Sequence, residues 1–214
     1  FNTSLGSLSM GVGVTTGDNN VAIGYTAGED LTSGHSSVLI GSGAGQQLTT
    51  GIKNVAVGAL ALNVENAHGL NVAVGYAALY TLDAGADGYN TAVGYTAGLS
   101  VSTGIQNTLV GGLAGDALTT GMNNVAIGKD ALGSEDTGSA NVAIGTHALE
   151  DLNYNGSGYN TAVGHAAGRN VTTGIQNTLI GAEAGDALTI GNYNVAVGKD
   201  ALSTSVDGDH NTAV

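Results

Sequence analysis

Cysteine, proline and tryptophan are absent from the 214-residue chain, and Phe1 is its one phenylalanine. Without cysteine there is no disulfide framework, thiolate metal site or cysteine nucleophile. With no proline and 37 glycines, the chain is neither collagen-like nor a proline-rich linker. Hydrophobic residues nevertheless reach 42% of the chain and charged residues only 10%, which excludes a disordered composition. The sequence therefore predicts a thin core built from Ala, Val, Ile and Leu.

Basic residues are also scarce. The chain has four Lys and Arg and seventeen Asp and Glu, which gives a net charge of −13. Such a chain is repelled by nucleic acids and anionic membrane surfaces, so we expect neither as a partner. No apolar run reaches the length of a membrane-spanning helix, and no signal peptide is recognisable. Because the sequence begins at Phe1 rather than at a methionine, we expect it to be a segment of a longer protein.

A five-residue motif recurs along the whole chain: Asn, then Val or Thr, then Ala or Leu, then Val or Ile, then Gly. Asn20–Gly24 and Asn90–Gly94 are two of its copies, and its closing glycines recur every seventeen to nineteen positions. A longer period, the step from Gly24 to Gly94, contains four copies, and residues 90–132 match residues 160–202 at 31 of 43 positions. Such regularity indicates tandem duplication of a stacked repeat.

One such short unit cannot bury a hydrophobic face alone, but it can do so when stacked on copies of itself. The β-branched motif predicts one strand per unit, and an Ala three residues after each closing glycine predicts a second strand. We therefore predict a single all-β domain over 1–214, a parallel β-solenoid of about twelve coils, each of seventeen to nineteen residues. Frequent glycine and the lack of a helical period disfavour helices.

The asparagine that opens each motif is predicted to stack on its equivalents, which lie roughly 4.8 Å apart on successive coils. Side-chain amides at that spacing can hydrogen-bond from coil to coil. The predicted structural ladder consists of Asn20, Asn54, Asn71, Asn90, Asn107, Asn124, Asn141, Asn160, Asn177 and Asn194.

The strand motif is apolar on both of its faces, which is typical of a strand that is buried on both. We assign the last motif position to the core of the chain and the middle position to contact with identical chains. The predicted oligomer interface is Ala22, Leu39, Ala56, Ala73, Ala92, Leu109, Ala126, Ala143, Ala162, Leu179 and Ala196. A wide solenoid whose core includes both faces is the alternative.

Repeated N-x-A-[VI]-G followed by x-x-Ala resembles the head repeats of trimeric autotransporter adhesins (YadA-like heads) and related bacteriophage tail-fibre repeats. The resemblance covers Asn2 to Val214. It implies a left-handed parallel β-roll in a homotrimer, on a bacterial cell surface or in a virion fibre. The coils of this chain are longer than the coils of roughly fourteen residues expected of those heads, and no neck, stalk or membrane anchor is recognisable.

No enzyme motif is found, and we predict neither catalytic residues, nor a bound metal, nor a cofactor. The histidines fall at different points of the repeat, without metal-ligand spacing along the chain; they are His35, His68, His147, His165 and His210. Calcium binding is disfavoured because the acids that recur with the longer period, Asp116 with Asp186 and Asp130 with Asp200, would lie four coils apart. Ice binding is disfavoured because ranked T-x-T arrays are absent.

Two longer units, at Tyr80–Tyr89 and Leu149–Tyr159, carry two extra residues each, and functional residues concentrate on such loops. The ligand-binding candidates are tyrosines that could stack on sugar rings: Tyr76, Tyr80, Tyr89, Tyr154 and Tyr159. The alternative is that these tyrosines only cover the coil edges. We expect an adhesive segment of an extracellular fibre that binds a host glycan or protein receptor; the alternative is a structural shaft that spaces a distal tip.

Overall fold

A computed structural model describes residues 1–11 and 14–214, and in them thirteen short strands form one parallel sheet in chain order. The strands are β1 (Thr3–Leu5), β2 (Val21–Ile23), β3 (Val38–Ile40), β4 (Val55–Val57), β5 (Val72–Val74), β6 (Thr91–Val93), β7 (Thr108–Val110), β8 (Val125–Ile127), β9 (Val142–Ile144), β10 (Thr161–Val163), β11 (Thr178–Ile180), β12 (Val195–Val197) and β13 (Thr212–Ala213). The predicted all-β parallel solenoid is confirmed, and its coil length matches the spacing of the motif.

Equivalent motif residues pair across the sheet, because each coil returns the chain one strand further along the rod. Ala22 pairs with Leu39, and Ala73 pairs with Ala92 although the second pair spans one of the two longer coils. The extra residues of the longer coils therefore lie outside the sheet and leave its register unchanged. At about 4.8 Å per strand the twelve steps make a rod of about 60 Å.

The second strand predicted for each coil is wrong: the residues that follow the closing glycine form consecutive turns, which we call the turn wall. In this wall, residues two and four positions after the glycine have positive φ. Examples are Thr96 at 50° and Leu79 at 50°. Left-handed backbone costs a non-glycine residue about 1–2 kcal/mol, so it persists only where other interactions compensate.

Hydrogen bonds between coils supply that compensation in the turn wall. The Thr96 backbone N–H donates to the Tyr76 carbonyl of the preceding coil at 2.9 Å, and the Gly98 N–H donates to the Ala114 carbonyl of the following coil at 3.0 Å. The wall therefore pairs its backbone with both neighbouring coils, as a strand does, without strand geometry.

The core lies between the sheet and the turn wall, and large side chains enter it from one side or the other. Leu109 of β7 fills the space beside Gly98 and Gly115: a Cβ on these glycines would lie 2.7 and 2.8 Å from its methyl carbons. In the next coil the filling is reversed, because Ala126 of β8 leaves room for Leu132 of the turn wall. A large leucine on one side of the interior thus lies opposite glycine or alanine on the other side, which keeps the interior filled.

The closing glycine of each motif permits close stacking of the coils. Gly24 has a φ of 137°, and a Cβ at this position would lie 2.6 Å from the Gly41 carbonyl oxygen of the next coil. No L-amino-acid side chain fits there. The requirement recurs once per coil, which accounts for much of the glycine content.

Candidate functional site

The middle residue of each strand motif points into the interior of the chain, opposite to our prediction. The eleven residues predicted as an oligomer interface are fully buried, at 0% exposure: Ala22, Leu39, Ala56, Ala73, Ala92, Leu109, Ala126, Ala143, Ala162, Leu179 and Ala196. The predicted interface is therefore wrong, because residues sealed between the sheet and the turn wall cannot touch a second chain. Alanine holds eight of these eleven positions, which suits a narrow interior but does not distinguish it from a close interface between chains.

The first and last residues of each strand form the outer face of the sheet, which is the surface opposite to the interior. Val55 and Val57 are half-buried, and Ile127 is 37% exposed. From β2 to β12 these positions are held by Val, Ile and Thr, in two parallel columns. The outer face is therefore a long apolar surface without charged side chains.

The predicted asparagine ladder is confirmed, with backbone as well as side-chain donors. The Asn107 backbone N–H donates to Asn90 Oδ1 at 3.0 Å, and the Asn107 side-chain amide donates to the Gly121 carbonyl at 2.9 Å. Ser37 takes the asparagine position in one coil, where its hydroxyl accepts from the Asn54 N–H at 3.1 Å. The ladder is buried throughout, which gives these asparagines a structural role: Asn20, Asn54, Asn71, Asn90, Asn107, Asn124, Asn141, Asn160, Asn177 and Asn194.

Two of the predicted tyrosines line an open pocket of about 290 Å³ on the turn wall, the aromatic pocket. Tyr76 stacks on Tyr95 of the next coil, with ring centroids 5.6 Å apart and planes 13° apart. The lining consists of Leu60, Tyr76, Ala77, Tyr80, Tyr95, Thr96 and Leu99. Tyr95 was missed by sequence reasoning, although it occupies the same coil position as Tyr76, directly after the closing glycine.

One polar atom of the aromatic pocket has no protein partner. The Thr96 residue is buried and its Oγ1 makes no hydrogen bond, whereas the hydroxyl of the equivalent Thr26 donates to the Tyr25 carbonyl at 2.8 Å. A buried hydroxyl without a partner is costly.

The other three predicted tyrosines do not line the pocket. Tyr89 and Tyr159 directly precede a ladder asparagine, have positive φ and are exposed. Tyr154 is half-buried and packs against the core. The structure therefore brings together two of the five candidates.

Four coils further along, the same coil positions carry charged side chains, which we call the charged cluster. His147 Nδ1 lies 3.0 Å from Glu150 Oε2 and 3.7 Å from Asp130 Oδ2. Lys129 pairs with Asp130, and Arg169 Nε lies 2.9 Å from Glu150 Oε2. Both carboxylates are thus neutralised by cations.

Two fully buried glutamates, Glu65 and Glu135, replace the core leucine of their coils, immediately before each of the two longer coils. Glu135 accepts backbone hydrogen bonds from Gly138 at 2.7 Å and from Tyr154 at 3.2 Å. Burial raises the pKa of the Glu135 carboxyl, although these N–H donors oppose the shift. Each glutamate therefore accepts from one N–H group of its own coil and from one N–H group of the longer coil that follows.

The recurring aspartates have different surroundings. Partial burial raises the pKa of Asp116, and the neighbouring charge of Asp130 adds to this effect. Asp200 instead pairs with Lys199 at 2.6 Å, which holds the pKa of its carboxyl below the ordinary value. The recurrence of these acids thus does not create one repeated site.

No protein-family model matches the chain, and neither the curated proteins nor the solved structures that were compared with it give a significant match. Within the residues that the structure describes, no helix is long and apolar enough to cross a membrane.

Proposed function

We propose that this chain is a stiff segment of an extracellular attachment fibre, on a cell surface or a virion, and that its aromatic pocket binds a carbohydrate of the host. The observation that carries the proposal is the stacked pair of Tyr76 and Tyr95 beside an open pocket that Tyr80 also lines.

A sugar ring matches this combination of groups. Its apolar C–H face can pack on a tyrosine ring, and its hydroxyls need hydrogen-bond partners at the edge of the same pocket. Leu60, Ala77 and Leu99 supply the remaining apolar walls, and Tyr80 adds a further phenol. A single shallow pocket binds weakly, but several copies on one rigid fibre would add their affinities as avidity.

We further propose that the fibre is a homotrimer, the state that the resemblance implies, and that the chains associate through the outer face. The face is about 60 Å long and about 10 Å wide, so three copies that turn it towards a common axis would bury about 1,800 Å² of surface in total. Association would remove the two apolar columns from water.

The glycan proposal is tested with a glycan array and whole-cell binding, using the wild type, Tyr76→Ala and Tyr25→Ala. Tyr25 is exposed at the same coil position as Tyr76 but has no stacked partner in the described part of the chain, so it is the matched control. We expect the loss of binding in Tyr76→Ala alone. Equal binding by both variants contradicts the pocket, and a wild type that binds neither glycans nor cells favours the spacer function.

The oligomer is tested by sedimentation equilibrium of Ile127→Lys, which places a charge on the outer face, and of Thr103→Lys, at an exposed position between the turn wall and the next strand. We expect the trimer to persist in Thr103→Lys and to dissociate in Ile127→Lys. A monomeric wild type would contradict the proposal.

A further inference from the structure

The coil that carries Glu65 and the coil after it bring three potential metal ligands together. One ligand atom each from Glu65, His68 and Asp83 lies within 4.8 Å of the others. Reading along the sequence does not reveal this group, because Asp83 belongs to the next coil and approaches Glu65 only through the stacking of coils. We propose that Glu65, His68 and Asp83 bind a divalent transition-metal ion, with Zn²⁺ as the best fit.

The distance between the ligand atoms of Glu65 and His68 suits tetrahedral coordination, and the Asp83 carboxylate lies within 4.8 Å of both. Zn²⁺ binds oxygen and nitrogen at about 2.0–2.1 Å, which places two ligand atoms of a tetrahedron about 3.3 Å apart. Glu65 Oε1 lies 3.4 Å from His68 Nδ1. With Asp83 as the third ligand, the fourth position would be left to water.

The charges of the group favour a cation. Glu65 is fully buried, and in the described part of the chain no lysine or arginine forms an ion pair with Glu65 or Asp83. His68 Nδ1 is buried and makes no hydrogen bond. The charged cluster around His147 differs in this respect, because Lys129 and Arg169 already neutralise its two carboxylates.

The second copy of the repeat separates the structural role of the glutamate from the proposed metal site. Glu65 accepts from the backbone N–H groups of His68 and Ala84, as Glu135 does from Gly138 and Tyr154. The positions equivalent to His68 and Asp83, four coils later, are Gly138 and Asn153. Binding of the two N–H groups therefore requires the glutamate alone. The His68 imidazole and the Asp83 carboxylate are not needed for this structural role.

The test is calorimetric titration of the whole chain with Zn²⁺, supported by Co²⁺ absorption as a probe of tetrahedral coordination. The variants are His68→Gln, Asp83→Asn and the double variant His68→Gly with Asp83→Asn, which carries the residues of the second copy and should therefore fold. The matched control is His147→Gln, in the charged cluster. Circular dichroism verifies the fold of each.

We expect the wild type and His147→Gln to bind one Zn²⁺ per chain, each single variant to bind at least about 10–100-fold more weakly, and the double variant to lose the site. The proposal is overturned if the wild type binds no Zn²⁺, if the double variant binds it with unchanged affinity, or if His147→Gln is the variant that loses it. None of these outcomes depends on glycan binding, so the proposed function is judged separately.

Discussion

The aromatic pocket and the charged cluster occupy the same coil positions, four coils apart, on one scaffold. The equivalent pairs are Leu60 and Asp130, Ala77 and His147, Tyr80 and Glu150, Tyr95 and His165, and Leu99 and Arg169. The backbone is the same in both regions: φ is 62° at Leu60 and 54° at Asp130. One backbone thus carries an apolar pocket in one place and a network of ion pairs in the other.

The difference shows that the fold restricts its inward-pointing and its outward-pointing side chains to different degrees. Side chains that point inwards must fit a narrow core and a fixed register, so the repeat motif restricts them strongly. Side chains that point outwards from the turn wall meet only their neighbours on adjacent coils. Different binding surfaces can therefore be placed on the same coil without changes to the core.

The largest loss of stability is expected from substitutions in the core, which is alike near the aromatic pocket and near the charged cluster. Leu39 and Leu109 each lie between two glycines of the turn wall, one coil before the aromatic pocket and the charged cluster respectively. Leu→Ala at either position leaves a cavity and should lower the free energy of unfolding by about 2–5 kcal/mol. Chemical denaturation should give similar losses for both variants; a loss at only one position would show that the cores differ.

An intermediate and pH-dependent effect is expected at Glu135. The pKa of this carboxyl is raised in the folded chain above its ordinary value of 4.5, so the folded state holds the proton more tightly than the unfolded state. The wild type should therefore lose stability as the pH rises from 4.5 through the folded pKa, by about 1.4 kcal/mol for each unit between the two values.

Glu135→Gln removes this titration, so its stability relative to the wild type should increase as the pH rises through that window. Denaturation curves at several pH values measure the difference. Asp151→Asn controls for the change in net charge, since Asp151 is exposed on the next coil. A difference between the wild type and Glu135→Gln that does not vary with pH contradicts the assigned shift.

The smallest effect is expected where the two regions differ most, at the ion pair between Arg169 and Glu150. Arg169→Leu introduces the leucine that the equivalent position 99 carries, and it removes an ion pair of 2.9 Å between partly exposed groups. We expect a loss of stability below about 1 kcal/mol, and a smaller one at about 1 M salt, where the Debye length is about 3 Å. A loss above about 2 kcal/mol would show that the cluster stabilises the rod.

Much of the fold could be predicted from the sequence, because the interval between copies of a tandem repeat indicates which residues lie side by side on successive coils. The spacing of Gly24, Gly41 and Gly58 indicated the coil length, and the asparagine before each strand indicated the buried ladder. The candidate sites were harder to predict. Tyr76 and Tyr80 were found, but Tyr95, the Thr96 hydroxyl and the group of Glu65, His68 and Asp83 come together only between coils.

The sequence by itself determined the period, the parallel order of the strands and the columns that stack, since all of these depend on residues repeated at a fixed interval. The tertiary structure alone decided which face of the strand is the interior. Alternation places Ala126 opposite to Val125 and Ile127, but the side on which the chain closes depends on the turn wall. That wall uses left-handed backbone at residues such as Leu79, a conformation that becomes favourable once neighbouring coils pair its N–H and carbonyl groups.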